Sequence, residues 1–206
     1  MSQTIEERVT ALEQDQLGLA TSANISWRLL CGTLILLMQV GFAVYEGGSV
    51  RERNVIATYA KNIFDFLLGT SIAAAWGFTL SWSPAVMRNA ADALYDNDDR
   101  SIFDGRDFFF YHVVYQATST TIVSGAMAER TTLRAYLLVV VLITGLSYPL
   151  AVKFAWNPSG FLHQLSPPYH DFAGAGVVHM VGGFAALPAC WILGPRTGRW
   201  DPALQN

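Results

Sequence analysis

The sequence predicts an all-α, polytopic membrane protein with five transmembrane helices. Hydrophobic residues make up 52% of the 206 residues and charged residues 14%, whereas soluble domains carry about 25% charged residues. The mean hydropathy is +0.30. Five apolar stretches approach or exceed the roughly 20 residues that a helix needs to cross a bilayer. They cover residues 27–45, 57–82, 108–128, 133–156 and 172–193.

The first two stretches differ in how apolar they are. Residues 29–45 of the first contain no charge, whereas the second contains Lys61 and Asp65. A spacing of four residues puts these two side chains on one face of a helix, where they can pair with each other. We favour a structural pair here, with a role in transport as the alternative.

The later stretches contain small residues that allow close helix packing. Apolar side chains gain little by leaving lipid, so helices in a membrane associate mainly through close packing. Small side chains allow that packing because they let helix backbones approach one another. The sequence therefore predicts a tight bundle. The small residues are Gly125, Ala126, Gly145, Ser147, Gly174, Gly176, Gly182 and Gly183.

Charges in the loops predict the orientation, because short basic loops tend to stay in the cytoplasm. The loops after the first, third and fifth stretches are basic and are assigned to the inside. The acidic loop between the second and third stretches and the loop 157–170, which lacks Lys and Arg, are assigned to the outside. The basic residues are Arg51, Arg53, Arg130, Arg134, Arg196 and Arg199, and the acidic ones are Asp92, Asp96, Asp98, Asp99 and Asp104.

This orientation divides the chain into an extracellular polar tail (1–26), a transmembrane domain (27–200) and a cytoplasmic end (201–206). The tail lacks the basic, apolar and small-residue regions of a cleavable signal peptide, so the first helix is predicted to act as its own insertion signal. Asn24 lies in a glycosylation sequon. Because this sequon is so close to the membrane, we expect it to remain unused.

The polar tail itself has helical features. Thr4 and Glu7 have the spacing of a capping box, and Ile5, Val9 and Leu12 fall on one helical face. These features fit a short amphipathic helix that packs on a partner subunit. A frayed tail fits them equally well.

Composition argues against several other functions. The net charge of -3 offers no basic surface for nucleic acid. Cys31 and Cys190 both lie in apolar runs and suggest neither a disulfide framework nor a metal cluster. The sequence shows no nucleophile and base set, phosphate loop or metal-ligand spacing, so an enzyme is not predicted. No cofactor and no metal are expected.

His179 is a candidate pore residue. It lies eight residues after Asp171, about 12 Å along a helix and close to the bilayer midplane. An ionisable residue at that depth is costly unless it faces a cavity or a partner. A neutral imidazole both donates and accepts hydrogen bonds, which suits a small polar molecule. The alternative is a histidine bonded to a neighbouring helix.

Asp171 stands immediately before the fifth apolar stretch. At that position a carboxylate can accept hydrogen bonds from the free amides of the first helical turn. We favour this structural role, with an electrostatic effect on a cation at longer range. The alternative is direct attraction or coordination of a cation at a pore entrance.

Three aromatic residues share the predicted outer side. Trp156 ends the fourth stretch, and Tyr111 and Tyr115 lie one helical turn apart in the third. Each one alone is typical of an interfacial aromatic belt. Together with His179 and Asp171 they suggest a pathway, because aromatic faces attract a desolvated cation by about 2 kcal/mol or more.

Several motifs resemble the ammonium transporter family (Amt/Mep/Rh). They are MQVGFA at 38–43, EGGSVR at 46–51 and IVSGAMAER at 122–130, with the most specific run, DFAGAGVVH, at 171–179. Asn54-Val55, Lys61-Asn62 and Gly194-Pro195-Arg196 extend the match. The resemblance covers roughly residues 27–200.

The resemblance implies a channel-like transporter of ammonia or ammonium in a plasma membrane, a trimer whose subunits each have a pore. It implies that Tyr111 and Trp156 bind the cation and that Tyr115 is the first gate aromatic. His179 is then the first of two pore histidines, and Asp171 the buried acidic residue near the recruitment site. The family usually has phenylalanine at the gate, so Tyr115 adds a hydroxyl there.

The family fold contains two inverted five-helix repeats and an eleventh helix, and the resemblance here covers the first repeat only. The second gate aromatic and second histidine belong to the other half. The chain is therefore expected to be a fragment or a natural truncation that does not conduct alone. The alternative function is a non-conducting half-transporter that binds, senses or regulates.

Overall fold

In a computed structural model that describes residues 4–82 and 105–200, these residues fold into five long helices. The acidic loop and the C-terminal segment 201–206 lie outside the described residues. Helix α1 is Ile5–Gly48, and α3 is Arg106–Met127. The other three helices each include a π-helical segment. Helix α2 comprises Val55–Ile72, Ala73–Gly77 and Phe78–Trp82; α4 comprises Leu133–Leu142, Ile143–Ser147 and Tyr148–Ala155; α5 comprises Ala175–Met180 and Val181–Leu193.

Helix α1 joins the predicted tail and the first predicted span into one element. It begins at the predicted capping box: the Glu7 backbone N–H donates to Thr4 Oγ1, and the Thr4 N–H donates to Glu7 Oε2. Its 44 residues extend about 66 Å at 1.5 Å per residue. The helix predicted near the N-terminus is therefore confirmed, but it is continuous with the membrane span rather than short.

The five predicted spans match the five helices, except that α1 begins well before its predicted span and α5 begins three residues later than predicted. Four helices in the described part of the chain are long and apolar enough to cross a membrane. Helix α3 falls outside that group because it carries many hydroxyl and amide side chains. It is nevertheless the central helix, since it packs against all four of the others. Because the other helices surround α3, its polar side chains face protein rather than lipid.

The polar side chains of α3 belong to a buried network with α1 and α2. Lys61 forms an ion pair with Glu46 at the end of α1. The Glu46 carboxylate also accepts hydrogen bonds from Asn62 Nδ2 at 2.7 Å and Ser124 Oγ at 3.0 Å. Glu46 is only 4% exposed. A charge removed from water needs such partners to offset its lost hydration.

The predicted pairing of Lys61 with Asp65 is therefore wrong. Asp65 instead accepts a hydrogen bond from Tyr136 Oη of α4 at 2.7 Å, and it is 1% exposed. The two residues do share one side of α2, as their spacing predicts. Tertiary packing brings each a partner from another helix, which local spacing could not reveal.

At one end of the bundle, Glu129 joins three loops. Its Oε1 accepts from the Arg51 backbone N–H at 2.9 Å and from Asn54 Nδ2 at 2.6 Å, and its Oε2 pairs with Arg196 at 3.1 Å. Arg196 also donates to the carbonyl of Ser49 at 2.8 Å. We call Glu129, Arg51, Asn54 and Arg196 the Glu129 hub. The three basic loops thus lie together at the same end of the bundle.

The Glu129 hub stabilises the charged form of its carboxylate. Burial raises the pKa of Glu129, but the hydrogen bonds from Arg51 and Asn54 and the charges of Arg196 and Arg51 outweigh burial, so the pKa lies below its ordinary value. Glu129 also has a positive φ of 58°, which is uncommon for residues other than glycine. Its multiple partners hold the backbone in that conformation.

Candidate functional site

The candidate site lies at the opposite end of the bundle, where α5 begins. Asp171 precedes α5 in a turn and reaches the amides of its first turn. Its Oδ1 accepts from the Gly176 N–H at 2.7 Å, and its Oδ2 accepts from the Val177 N–H at 3.2 Å. The same Oδ2 accepts from Trp156 Nε1 at 2.8 Å. The carboxylate thereby links the end of α4 to the start of α5.

The residue directly before α5 is Gly174, not Asp171. Gly174 has a left-handed φ of 75°, which glycine adopts without steric cost. A Cβ at Gly176 would clash with the hydroxyl of Tyr169 and lie 3.3 Å from Asp171 Oδ1. These two glycines allow the chain to turn and the carboxylate to approach the helix start closely.

Three half-buried aromatic rings form a row that begins at Trp156, the residue whose indole donates to this carboxylate. The rings of Tyr115 and Trp156 are in edge contact, with centroids 5.8 Å apart. Those of Tyr111 and Tyr115 are 4.8 Å apart, and their hydroxyl oxygens are separated by 3.1 Å. The structure therefore brings together four residues predicted from the sequence. We call Tyr111, Tyr115, Trp156 and Asp171 the aromatic cluster.

This arrangement suits a cation chemically. In the described part of the chain, the hydrogen-bond donors to Asp171 are two backbone amides and an indole, all of them neutral. The negative charge of the carboxylate is therefore not cancelled by a neighbouring ion pair. Aromatic faces add attraction for a cation that has lost part of its water.

His179, the fifth predicted site residue, lies further along α5 and is exposed in this chain. Because α5 begins at Ala175, His179 lies about 6 Å along the helix from its start. The predicted distance of about 12 Å, counted from Asp171, is therefore too long. His179 also belongs to a π-helical segment, a feature frequent at functional sites.

The face of α5 around His179 is strongly apolar and uncovered. Large side chains there are more than half exposed in this chain, including Met180, Phe184, Leu187, Trp191 and Ile192. Exposed apolar surface of this extent marks either a lipid-facing or a protein-facing surface. A histidine in the middle of such a face is costly in lipid, which favours a protein or a polar path opposite it.

The sequence analysis missed His112, a buried residue of α3 that follows Tyr111 in the chain. His112 is 2% exposed and accepts a hydrogen bond from Trp82 Nε1 at its Nδ1, 3.3 Å away. Its ring also contacts Phe78 and Tyr148, with centroids 5.1 Å and 5.3 Å away. The sequence could have revealed His112, because it is an ionisable residue inside the predicted span 108–128. The same argument identified His179.

Fold and site together define a polytopic helical membrane protein with an aromatic and carboxylate site at one end of its bundle. Comparison with known proteins identifies the family. The sequence model of the Ammonium Transporter Family matches residues 26–206. The chain belongs to this family, and it is an integral membrane protein.

Individual relatives extend the match. Ammonium transporter Amt2 of Haloferax mediterranei is 38% identical over 201 residues, which cover 94% of this chain and 43% of that protein. Amt2 of Methanocaldococcus jannaschii is 38% identical over 190 residues, covering 88% and 43%. Ammonium transporter 1 member 3 of Solanum lycopersicum is 33% identical over 186 residues, covering 87% and 40%. The chain thus spans less than half the length of these relatives.

Proposed function

We propose that this chain forms the first half of a channel-like transporter that moves ammonia or ammonium across a membrane. The observation that carries the proposal is the aromatic cluster, in which a row of three rings ends at a carboxylate that, among the described residues, accepts hydrogen bonds from neutral groups. Family membership and relatives named as ammonium transporters support the substrate. The plasma membrane and a homotrimer are part of the proposal.

Each residue of the site has a proposed role. Tyr111 and Trp156 bind the cation through their ring faces, and Tyr115 gates the path below them. Asp171 fixes Trp156 and the start of α5, and its charge favours a cation nearby. His179 lines the path after the cation has lost its water. A neutral imidazole provides both a donor and an acceptor to a small polar permeant.

The exposed face of α5 indicates where the rest of the pore lies. We propose that a second set of helices covers this face and forms the other wall of the path opposite His179. Burying the histidine against protein or a narrow polar path avoids the several kcal/mol that an unsatisfied polar group costs in lipid. The 206-residue chain alone is therefore expected to pass no ammonium.

The proposed orientation places residues 1–26 outside the cell and residues 201–206 inside. The Glu129 hub supports it by placing the three basic loops at one common end. Cysteines introduced at Gln14 and Arg53 would be labelled in intact cells with an impermeant maleimide. We expect labelling of the cysteine at position 14 alone. Labelling of the cysteine at position 53 alone would show that the orientation is the reverse of the proposed one.

The test of transport uses a chimera in which this chain is fused to the remaining part of Haloferax mediterranei Amt2. Uptake is measured in cells that lack their own ammonium uptake. Trp156→Leu is expected to raise the ammonium concentration for half-maximal uptake about tenfold, because a cation and aromatic contact contributes about 1–2 kcal/mol. Trp27→Leu is the matched control, since Trp27 is 66% exposed on α1.

His179→Ala in the same chimera is expected to change the maximal rate. Equal uptake by the parent and by both the Trp156 and His179 variants would contradict the proposal. The unfused chain in liposomes is expected to give no ammonium-dependent pH change beyond that of empty vesicles. A chimera that binds ammonium without moving it would instead support a binding or sensing subunit.

A further inference from the structure

The N-terminal part of α1 projects beyond the helix bundle. The bundle reaches α1 at Arg28, which forms an ion pair with Asp107 of α3 at 2.9 Å. Residues 5–26 precede that contact and extend about 33 Å at 1.5 Å per residue. The family model begins at residue 26, whereas the match to Haloferax mediterranei Amt2 covers 94% of the chain and so includes part of this projecting segment.

The projecting segment carries an apolar stripe with heptad spacing. Ile5, Val9, Leu12, Gln16 and Leu19 follow one another at intervals of four, three, four and three residues, the spacing of the a and d positions of a coiled coil. The four apolar members are 82%, 47%, 62% and 73% exposed. Nothing in the described part of this chain covers the stripe.

Charges flank the stripe in a complementary pattern. With Val9 at a and Leu12 at d, Arg8 takes a g position and Glu13 the following e position. In a parallel coiled coil, g of one helix meets the following e of its neighbour, and opposite charges there select the partner. Within one helix, neither Arg8 nor Glu13 has an oppositely charged residue three or four positions away. The charges of Arg8 and Glu13 can therefore pair only with those of a neighbouring helix.

Gln16 adds a further feature of coiled coils. A single polar residue at an a position fixes register, because it is best satisfied when it meets the same residue of a neighbouring helix. Every copy of α1 continues from this segment into the membrane, so copies inserted in one orientation present it in parallel. Membrane attachment also raises the effective concentration of the segments, which compensates for their short length.

We propose that residues 5–26 form a parallel coiled coil with the same segment of other copies of this chain. Attachment to the lipid surface is the less suitable role, because surface helices are typically rich in Lys and Arg on their polar face. This segment instead carries four acidic residues and a single basic one, Glu6, Glu7, Glu13, Asp15 and Arg8. The proposal stands independently of the transport activity.

Cross-linking of the full chain tests the proposal. In a background with Cys31 and Cys190 replaced by serine, Leu12→Cys places a thiol at a d position. Gln14→Cys is the matched control, because it lies at the same depth but at the outward f position. A short bismaleimide in detergent is expected to join Leu12→Cys copies, and to leave Gln14→Cys copies single.

Charge exchange supplies the second arm. In the Leu12→Cys background, Arg8→Glu or Glu13→Arg alone is expected to reduce cross-linking about threefold, since like charges replace an exposed pair. The double exchange is expected to restore it. Circular dichroism of each variant checks that helix content is unchanged.

Three results would overturn the proposal: equal cross-linking at positions 12 and 14, failure of the double exchange to restore cross-linking, or no cross-linking at position 12. A blue shift of an environment-sensitive dye at position 12 on adding anionic vesicles, without cross-linking, would show a lipid-bound segment instead.

Discussion

Two carboxylates at opposite ends of the bundle hold neighbouring chain elements together, but with different partners. Glu129 joins three loops and is paired with the guanidinium of Arg196. Asp171 joins the ends of two helices, and the groups that donate to it are neutral. Both residues order the local structure. Of the two, Asp171 is the one whose charge has no cationic donor among the described residues.

The surroundings of the two carboxylates differ in the same way. The Glu129 hub is closed around its anion, whereas Asp171 lies beside the half-exposed rings of the aromatic cluster. A charge that is already paired exerts little attraction on a mobile ion, while an unpaired charge in a region of low dielectric attracts it strongly. We infer that one end of the bundle is specialised for stability and the other for the substrate.

The largest expected effect is that of Asp171→Ala in the chimera with Haloferax mediterranei Amt2. Uptake of ammonium is expected to be abolished, because the variant loses both the acceptor for Trp156 and the charge. The start of α5 is destabilised as well, by about 0.5–2 kcal/mol for a lost cap. Uptake and the thermal midpoint of the purified protein are measured together. Parental uptake by a folded variant would show that Asp171 has neither role.

Glu129→Ala is expected to be the most destabilising change at the other end. The change removes an ion pair and two hydrogen bonds, and because the Arg196 side chain is 32% exposed, solvent screening limits the expected cost to about 1–3 kcal/mol. For a chain of this size the thermal midpoint falls by about 2–4 °C per kcal/mol. Tryptophan fluorescence during heating measures it. An unchanged midpoint would contradict the stabilising role of the Glu129 hub.

The pH dependence of stability is expected to reveal the same hub. Because folding lowers the pKa of Glu129 below its ordinary value of 4.5, its contribution is complete above that value and is lost as the pH falls further toward the folded pKa. The parent is therefore expected to lose more thermal stability than Glu129→Gln between pH 5 and pH 3. A parallel loss in both proteins would assign the acid sensitivity to other groups.

The smallest expected effect is that of Tyr115→Phe. This change removes one hydroxyl of the 3.1 Å pair with Tyr111 but keeps the ring that contacts Trp156. A hydrogen bond of this kind contributes about 1 kcal/mol or less, so half-maximal uptake should shift less than about fivefold. Tyr115→Leu, which removes the ring, is the contrast. A larger effect of Tyr115→Phe than of Tyr115→Leu would show that the hydroxyl matters more than the ring.

The sequence predicted the fold well for physical reasons. Long apolar stretches define membrane helices directly, which is why the five spans agree with the helices. Asp171 and Trp156 were recognisable from their positions at helix ends and from the family resemblance. The structure adds the hydrogen bond that connects them.

Long-range partners could not be predicted in this way. Lys61 and Asp65 have the spacing of a pair, yet Glu46 and Tyr136 reach them first from other helices. The same is true of Glu129, whose partners Arg51, Asn54 and Arg196 come from loops more than 60 residues away in the chain. A local pattern contains no information about which helices become neighbours.

The most direct test of the difference between the two ends removes only the charge from each carboxylate. Asp171→Asn and Glu129→Gln both keep an oxygen acceptor, and both are measured in the chimera for half-maximal uptake and for thermal midpoint. We expect Asp171→Asn to weaken apparent ammonium affinity about tenfold, about 1.4 kcal/mol, with a small change in midpoint. Glu129→Gln should lower the midpoint and leave the affinity unchanged. Equal affinities in both variants, or the opposite assignment of the two effects, would contradict the account.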